Sequence, residues 1–427
     1  MNAEREDNDF FEGSVMILII GSGVSSLVFA ERCRQNGEEF RIFEKESKIG
    51  GKCITYTSKC KKALFDVAGH FLHYNGEKPV VCDRILDFPV RDRISKVLFD
   101  GRILDYPIQQ SIRAHDIKLI NVPKWSDYPQ NSMTKFFVDK FGELAWHFFV
   151  PYNRKIWSMS TDLLEQDYYE ELRSPVKGAG YNDKFMYPDR GVEDIPIKIR
   201  EHVYSKIERG NIVEIDPVNK VAFVDGIGSV KYDRLISPIP LIDLCKITKG
   251  YESLSCGLKW SSVIIFNIAY KKHNALYDGV SWLYIGTHRH RFFRCGWYNH
   301  VSSHMADEGF ESLYVEVSYP GEMDGRVSVK DIQAEVIQDL MHLNIIEKQE
   351  YISSIDSIVV EKAYPLSVNN KSKRVQMILN AFMSNNIYPV GRYGLWRWTG
   401  MYEDMKYSEN LYNYLFCNGA QPSLFGY

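Results

Sequence analysis

An apolar run leads directly into a glycine-rich turn near the start of this chain, and this junction limits the possible folds more than any other feature. Val15 to Ile20 is uninterrupted in its apolar character, and Gly21-Ser22-Gly23-Val24-Ser25-Ser26 follows it at once. A helical pattern and a second apolar strand, FRIFEKE, come next. The order strand, tight turn, helix, strand predicts a βαβ unit and a parallel, doubly wound sheet.

The same turn has the composition of a dinucleotide-binding loop. Gly21 and Gly23 occupy the first two positions of G-x-G-x-x-G, with serine in the third. Such a turn exposes backbone N–H groups, here including those of Val24 and Ser25, to a pyrophosphate at the helix N-terminus. Glu44, 23 residues after Gly21, ends the second strand and is placed to accept hydrogen bonds from a ribose. A glycine turn without a ligand is the alternative.

A second glycine pair and a segment near the C-terminus extend this pattern. Ser47-Lys48-Ile49-Gly50-Gly51-Lys52 follows the acidic residue directly. It resembles the corresponding segment of FAD-binding oxidoreductases, which favours FAD over NAD. Gly391-Arg392-Tyr393-Gly394, with Met401 opening a helix, resembles their C-terminal flavin-contacting segment. The cofactor-binding residues predicted in these segments are Gly21, Gly23, Val24, Ser25, Glu44, Lys45, Gly51, Lys52, Gly391, Arg392 and Met401.

Composition excludes several other classes of protein. The net charge of −3 and the absence of a long basic run argue against nucleic acid or an anionic membrane as the main partner. The acidic start lacks a signal-peptide apolar region, and no apolar run approaches the ~20 residues that span a bilayer. The eight cysteines form no C-x-x-C pair, and His288 and His290 have no third ligand nearby, so we expect a reduced cytoplasmic protein without a metal site.

The length of 427 residues suggests two or three domains, and both sheet types occur in an interleaved order. We expect an α/β fold with a Rossmann-like FAD-binding domain, an inserted helical domain and an antiparallel β-sheet domain. The first comprises 14–85, 186–250 and 370–427. The helical domain, with a mobile substrate loop, covers 108–185. The antiparallel domain comprises 86–107 and 251–369.

Five blocks in a fixed order carry a more specific resemblance. They are Ala68-Gly69-His70-Phe71-Leu72-His73-Tyr74, Asp105-Tyr106-Pro107, Pro151-Tyr152-Asn153-Arg154-Lys155-Ile156-Trp157, Trp282-Leu283-Tyr284, and Gly391 to Met401. Together they resemble the UDP-galactopyranose mutase family. The resemblance implies a redox-neutral flavoenzyme that interconverts UDP-galactopyranose and UDP-galactofuranose, or a close UDP- or dTDP-sugar, through an adduct between N5 of reduced FAD and the sugar. It also implies a role in the biosynthesis of cell-surface polysaccharide.

The resemblance also assigns residues to the reaction. It implies that Gly69 and His70 lie beside the isoalloxazine, with Gly69 binding the cofactor through its backbone. It also implies that Arg294 and Arg173 bind the substrate diphosphate, with Lys177 as the rival of Arg173. The implied substrate-binding residues are Tyr152, Asn153, Trp157, Tyr284, Tyr364, Arg392 and Trp398. The external reductant, NAD(P)H among the possibilities, and homo-oligomerisation stay open.

Two positions depart from the family pattern. Trp398 stands where the family usually has tyrosine, and Gly400 stands where bacterial members often carry aspartate. An indole N–H donates a hydrogen bond but lacks the acceptor of a phenol, so the departures leave the sugar nucleotide open. The alternatives are an oxidoreductase of the amine-oxidase or protoporphyrinogen-oxidase type and a catalytically idle FAD-binding scaffold.

Overall fold

The computed structural model describes residues 15–73, 86–112, 129–165, 183–322, 325, 328–368 and 371–422. Its strands are β1 (Ile17–Ile20), β2 (Phe40–Glu44), β3 (Thr55–Thr57), β4 (Leu64–Asp66), β5 (Leu72–His73), β6 (Val90–Asp92), β7 (Ser95–Phe99), β8 (Arg102–Asp105), β9 (Lys184–Met186), β10 (Ile207–Arg209), β11 (Ile212–Asp216), β12 (Val221–Val224), β13 (Gly228–Lys231), β14 (Arg234–Ser237), β15 (Lys259–Lys271), β16 (Trp282–Ile285), β17 (Arg294–Trp297), β18 (Phe310–Pro320), β19 (Ile352–Leu366) and β20 (Ile387–Pro389).

The helices, in chain order, are α1 (Val24–Gln35), α2 (Ile108–Ser111), α3 (Met133–Phe141), α4 (Val150–Trp157), α5 (Asp194–Arg200), α6 (Leu241–Ile247), α7 (Tyr298–Val301), α8 (Val329–His342), α9 (Lys371–Met383), α10 (Gly391–Gly394) and α11 (Met401–Phe416). One π-helical turn, Ala145–Phe149, runs directly into α4.

A five-stranded parallel sheet, ordered β10-β2-β1-β14-β20, forms the dinucleotide-binding half. Every residue of β1 is buried because helices cover both faces of a parallel sheet, which explains its continuous apolar run. Helix α1 follows β1 after the glycine turn and packs against α11. The predicted βαβ opening is therefore confirmed, and its sheet draws strands from three separate parts of the chain.

A seven-stranded sheet, ordered β19-β15-β18-β17-β16-β7-β8, forms the second layer. Its pairs are antiparallel except β16 with β7, which run parallel. Helix α8 covers one face with Ile332, Val336 and Leu340, which recur every four residues and join a core cluster with the sheet. The other face of this sheet turns toward the dinucleotide half and supplies residues to the cavity described below.

Smaller elements connect the two layers. Strands β11, β12 and β13 form a three-stranded antiparallel sheet, β5, β9 and β6 form another, and β3 pairs with β4. Asp66, buried at the end of β4, accepts hydrogen bonds from Thr55 Oγ1 and Tyr187 Oη, both at 2.6 Å. Burial raises the pKa of this carboxyl to about 7. No helix of the described ranges is long and apolar enough to cross a membrane.

Candidate active site

A cavity of about 950 Å³ lies between the two layers. The glycine loops, α4, the inward face of the seven-stranded sheet and the segment from Gly391 to Asp404 all contribute to its wall. The predicted site residues that line it are Gly21, Gly23, Val24, Ser25, Glu44, Lys45, Gly51, Lys52, Gly69, His70, Tyr152, Asn153, Tyr284, Arg294, Tyr364, Gly391, Arg392, Trp398 and Met401. The fold thus brings residues spread over most of the chain to one continuous space.

The dinucleotide end of the cavity is built from closely approaching glycines. Gly21 and Gly51 have φ values of +69° and +64°, which glycine adopts without strain. A Cβ on Gly51 would lie 3.2 Å from Gly23 Cα, and Gly23 forms a bridge with Gly50. A Cβ on Gly23, in contrast, would meet no protein atom within 4 Å. The backbone therefore leaves space above Gly23 at the N-terminus of α1.

The buried carboxylate of Glu44 is held at the end of β2. Its Oε2 accepts from the backbone N–H of Ser22 at 2.7 Å and from Ser22 Oγ at 2.6 Å, and its Oε1 accepts from Glu46 N at 2.7 Å. These bonds fix the orientation of the carboxylate. Because each carboxylate oxygen can accept two hydrogen bonds, Oε1 keeps capacity for a ribose hydroxyl. Nearby, burial and then the charge of Lys45 lower the pKa of Lys52.

The C-terminal segment closes over the glycine loop. Gly391 has φ +70°, and a Cβ there would lie 2.5 Å from Ser25 Oγ, so no larger residue fits without displacement. The next residue, Arg392, has its Cζ 5.6 Å from the ring centroid of Tyr364 and 5.9 Å from that of Trp398. Its buried Nε makes no hydrogen bond within the described structure. The guanidinium is thus held between aromatic rings with donor capacity left for a ligand.

His70 lies in the loop between β4 and β5 and also reaches the cavity. Its buried Nδ1 has no hydrogen-bond partner among the described residues. Burial, followed by the charges of Arg392 and Arg294, lowers the pKa of the imidazole to about 4. His70 is therefore neutral at neutral pH. The preceding Gly69 permits this position, because a Cβ there would lie 2.6 Å from the hydroxyl oxygen of Tyr314.

Arg294, at the start of β17, forms a bidentate ion pair with Glu316 of β18. The Nε–Oε2 distance is 2.5 Å and the Nη2–Oε1 distance is 2.8 Å, and the two residues are direct cross-strand neighbours. Burial alone would lower the pKa of the guanidinium, but the carboxylate of Glu316 outweighs it and raises the pKa. Glu316 is nearly fully buried and also lines the cavity. Arg294 therefore presents to the cavity only those N–H groups that Glu316 does not engage.

Two predicted site residues are not among those that line the cavity. Trp157 is the one of the two that the structure describes, and it is buried behind the cavity wall, so its contact with the substrate stays a prediction. Its Nε1 donates to Asn153 Oδ1 at 3.0 Å, and its ring makes edge contacts with Tyr364 and Trp398 at 5.6 and 6.1 Å. Trp157 thus supports two cavity residues from behind. Arg173, like its rival Lys177, lies outside the described residues.

The structure adds residues that the sequence analysis missed. Arg93 donates to the hydroxyl of Tyr284 at 3.2 Å, and its Cζ lies 4.5 Å from the ring centroid of Tyr106. Asp404, in the first turn of α11, accepts from Thr399 Oγ1 at 2.6 Å, and burial raises its pKa to about 6. The sequence could have indicated Tyr106, because it lies in one of the five blocks that resemble the mutase family. It could also have indicated Glu316, because a glutamate between two valines of a buried strand is unusual. Nothing in the sequence indicated Arg93, because its partners come from distant segments.

Comparison with known proteins agrees with this architecture. A family model described as an NAD(P)-binding Rossmann-like domain matches residues 19–86. The structure of a reduced UDP-galactopyranose mutase superimposes with a TM-score of 0.85 at 22% identity, covering 96% of each chain. A putative protoporphyrinogen oxidase from Exiguobacterium sp. 255-15 gives 0.68 at 14% identity, covering 93% of this chain and 99% of that one.

A third similar structure is the cyclohexylamine oxidase from Brevibacterium oxydans IH-35A, with a TM-score of 0.67 at 11% identity. The superposition covers 94% of this chain and 99% of the oxidase chain. The chain therefore contains a Rossmann-like NAD(P)-binding domain within a fold shared with a mutase and with two oxidases. The predicted fold class is confirmed. Because these identities are low, the likeness establishes the fold, and the reaction must be argued from the site.

Proposed function

We propose that this protein is an FAD-dependent sugar-nucleotide mutase that interconverts UDP-galactopyranose and UDP-galactofuranose. The observation that carries the proposal is the convergence of Arg294, Arg392, Tyr284 and Tyr364 with His70 in a cavity continuous with the dinucleotide loop. Two guanidinium groups and two phenols suit a diphosphate, which accepts several hydrogen bonds and carries negative charge. The likeness to the reduced mutase structure supports the same reaction.

The residues present fit FAD as the dinucleotide. The open space above Gly23, the close approach of Gly51 and the position of Gly391 against Ser25 form a backbone cradle of the kind that binds a pyrophosphate. Glu44 Oε1 would accept from the adenosine ribose. The unpartnered Nδ1 of His70 supplies a polar atom farther along the same cavity. When bound, reduced FAD supplies the nucleophile for the anomeric carbon, and external NAD(P)H is our proposal for the reductant.

The protein contributes positioning and electrostatic stabilisation. Arg294 and Arg392 would hold the diphosphate before and after it leaves the sugar, which keeps the leaving group available for recapture. The hydroxyls of Tyr284 and Tyr364 would donate hydrogen bonds to phosphate oxygens. Burial raises the pKa of Tyr364, so this phenol keeps its proton at neutral pH. Neutral His70 adds no positive charge and can donate or accept one hydrogen bond.

The aromatic wall would exclude water from the reacting sugar. Phe148, Phe149 and Tyr152, in the π-helical turn and α4, face the cavity together with Trp282 and Tyr284 of β16. Water exclusion matters because any electrophilic sugar intermediate would otherwise be hydrolysed. Trp398 keeps an indole N–H at the position where related mutases usually have a phenol, and we propose that it contacts the substrate diphosphate.

The second candidate is an FAD-dependent oxidoreductase of the amine-oxidase or protoporphyrinogen-oxidase type. The fold shared with the two oxidases favours it. Such an enzyme has no requirement for Arg294 and Arg392 in the substrate half of the cavity. The mutase reaction uses both residues, and we therefore prefer it. We further propose a cytoplasmic location, where nucleotide sugars for cell-surface polysaccharide are made.

An anaerobic assay tests the proposal. Dithionite-reduced protein incubated with UDP-galactofuranose should form UDP-galactopyranose, separable by ion-pair chromatography, with no net oxidation of the flavin. The oxidised protein and the reduced Arg392→Ala variant serve as controls and should be inactive or strongly impaired. Turnover that requires the oxidised flavin and an electron acceptor would instead identify an oxidoreductase. Bound flavin whose absorbance does not respond to UDP, together with no turnover, would identify an idle scaffold.

A further inference from the structure

A second, much smaller cavity of about 10 Å³ lies at the far end of the seven-stranded sheet and shares no lining residue with the candidate active site. Asp278, His300 and Glu311 surround it, and each offers one ligand atom within 4.8 Å of the other two. They come from the loop after β15, from α7 and from the start of β18. The volume matches about one water-sized particle, so the cavity accommodates a single small species.

The orientation of His300 is fixed. Its Nδ1 lies 2.9 Å from the carbonyl oxygen of Val280, which only accepts, so Nδ1 carries a proton. Its ring stacks on Trp297 with centroids 5.3 Å apart and an interplanar angle of 11°. A histidine whose Nδ1–H donates to a backbone carbonyl while Nε2 points elsewhere has the arrangement commonly found in metal-ligating histidines.

Nε2 of His300 is buried, with the side chain only 8% exposed, and it lies 2.9 Å from Glu311 Oε2. The two groups form an ion pair when the imidazole is protonated. Because a metal ligand must be deprotonated, a cation bound between the nitrogen and the carboxylate would replace the proton that they share. The carboxylate of Glu311 is itself buried, and Asn299 Nδ2 donates to its Oε2 at 2.7 Å.

A cation already stands at the rim of this cluster. Lys272 Nζ lies 2.6 Å from Asp278 Oδ1 and 3.7 Å from Glu311 Oε1. Its side chain is 41% exposed, so the flexible ammonium can move into solvent without a burial cost. The position between the two carboxylates therefore favours positive charge, and Lys272 would compete with any other cation that binds there.

We propose that Asp278, His300 and Glu311 form a binding site for one divalent transition-metal cation of the Zn²⁺ class. One imidazole nitrogen and two carboxylate oxygens suit Zn²⁺, whereas Mg²⁺ and Ca²⁺ prefer oxygen ligands alone. Ligand atoms on one Zn²⁺ lie roughly 3.4 Å apart. The three ligand atoms here lie within 4.8 Å of one another, so the cluster would contract when the cation binds. A bound cation would displace the ammonium of Lys272 and tie the loop after β15 to α7 and β18.

Calorimetric titration of the chelator-treated full chain with ZnCl₂ tests the site, because the heat of binding is independent of any catalytic activity. We expect one equivalent to bind. The His300→Gln and Asp278→Asn variants should each bind at least tenfold more weakly, and Lys272→Met should bind more tightly because the competing ammonium is gone. The exposed His304 lies close by in the chain, so His304→Gln is the matched control and should behave like the wild type.

Circular dichroism should show that each variant is folded, and Asp278→Asn, at an exposed position, keeps the test valid if His300→Gln does not fold. Zn²⁺ binding that survives both ligand substitutions, or that is lost in the His304→Gln control, would overturn the proposal. So would the absence of any binding, tighter binding of Mg²⁺ than of Zn²⁺, or unchanged affinity in Lys272→Met.

Discussion

The two ends of the large cavity are built in different ways. At the dinucleotide end, the wall is mostly backbone, contributed chiefly by glycines from Gly21 to Gly51, which lie 30 positions apart in sequence, and completed by Gly391 against Ser25. At the other end the wall is side chains, and its charged groups come from separate elements: Arg93 before β7, Arg294 on β17 and Arg392 on α10. The first end depends mainly on local conformation and the second on tertiary packing.

This difference predicts how each end responds to substitution. A backbone cradle fails when an added side chain occupies the space of the ligand, even if the fold is unchanged. A side-chain site fails when a group is removed, and the loss spreads to its partners, because Arg294 and Glu316 or Arg93 and Tyr284 hold each other. Substitutions at the dinucleotide end should therefore weaken ligand binding and leave stability unchanged, whereas substitutions at the side-chain end should lower both.

The largest expected effect is that of Gly23→Val. Gly23 has ordinary backbone angles, φ −68° and ψ 165°, and an added Cβ meets no protein atom within 4 Å. The fold should therefore persist, while the isopropyl group occupies the space above the start of α1. We expect at least 100-fold weaker FAD binding, measured by flavin absorbance of the purified protein and by reconstitution of apoprotein.

Ser229→Val is the matched control, since it adds a similar side chain on the exposed strand β13, away from the cavity. It should keep its flavin. The apoproteins of both variants should unfold within a few degrees of the wild type. Wild-type flavin affinity in Gly23→Val would contradict the assignment of this loop to a dinucleotide.

The second effect is that of Arg294→Ala on UDP binding. Loss of one partner of a charged, hydrogen-bonded pair typically costs about 2–5 kcal/mol, so we expect the affinity for UDP, measured by flavin fluorescence, to fall accordingly. The same substitution should lower the free energy of unfolding, because Glu316 is left buried without its partner.

The double variant Arg294→Met/Glu316→Leu separates these two losses. Removing both charges together should restore much of the stability, since a buried ion pair often contributes little more than well-packed apolar residues. UDP affinity should stay low. If the double variant regains UDP affinity along with stability, Arg294 acts only through folding and does not contact the diphosphate.

The dinucleotide end of the cavity was predictable from sequence for a physical reason. Glycine spacing, an apolar strand and an acid at the end of the next strand all lie within one contiguous segment, so their geometry follows from β1, α1 and β2 alone. The parallel pairing of β1 and β2 confirms that segment. The strands β14 and β20 join the same sheet from distant parts of the chain, so local geometry does not predict their contribution.

The side-chain end was predictable only in part. The family resemblance led to Arg294 and Tyr284, but their partners Glu316 and Arg93 depend on strand register and on packing between segments about 190 residues apart. The resemblance also led to Trp157, whose indole packs against Tyr364 and donates to Asn153 Oδ1. Its motif lies on α4, but what covers that helix depends on packing against distant segments, and the contact of Trp157 with the substrate stays a prediction.

The third effect is a pH dependence of stability that involves His70. In the folded apoprotein its pKa is about 4, against about 6.5 in an unfolded chain. Between these values the unfolded state binds more protons, so stability is fully present above pH ~6.5 and falls as pH drops toward 4. We expect a loss of about 1–2 kcal/mol between pH 7 and pH 5 from this residue, measured by urea unfolding.

His73, whose pKa burial lowers to about 3, should act in the same direction, whereas Asp66 and Asp404, whose pKa values are raised to about 7 and about 6, should act in the opposite one. The comparison is therefore between variants: His70→Gln should lose about 1–2 kcal/mol less stability than the wild type between pH 7 and pH 5. The exposed His304→Gln provides the control and should reproduce the wild-type curve. An identical pH dependence in His70→Gln would show that the imidazole of His70 is not protonated at a lower pH in the folded state than in the unfolded state.

The smallest expected effect concerns Trp157, which packs behind the cavity wall, and is compared with that of Trp398, which lines the cavity. Trp157→Phe removes the hydrogen bond to Asn153 and part of the support behind Tyr364, so we expect a loss of about 1–2 kcal/mol in the free energy of unfolding. Because Trp157 does not line the cavity, UDP affinity should change less than about threefold, well below the tenfold that corresponds to ~1.4 kcal/mol. Trp398→Phe, the matched change on the cavity wall, should weaken UDP binding more than it affects stability. The reverse ranking would show that Trp157 reaches the ligand when the cavity is filled, and that the wall rearranges on binding.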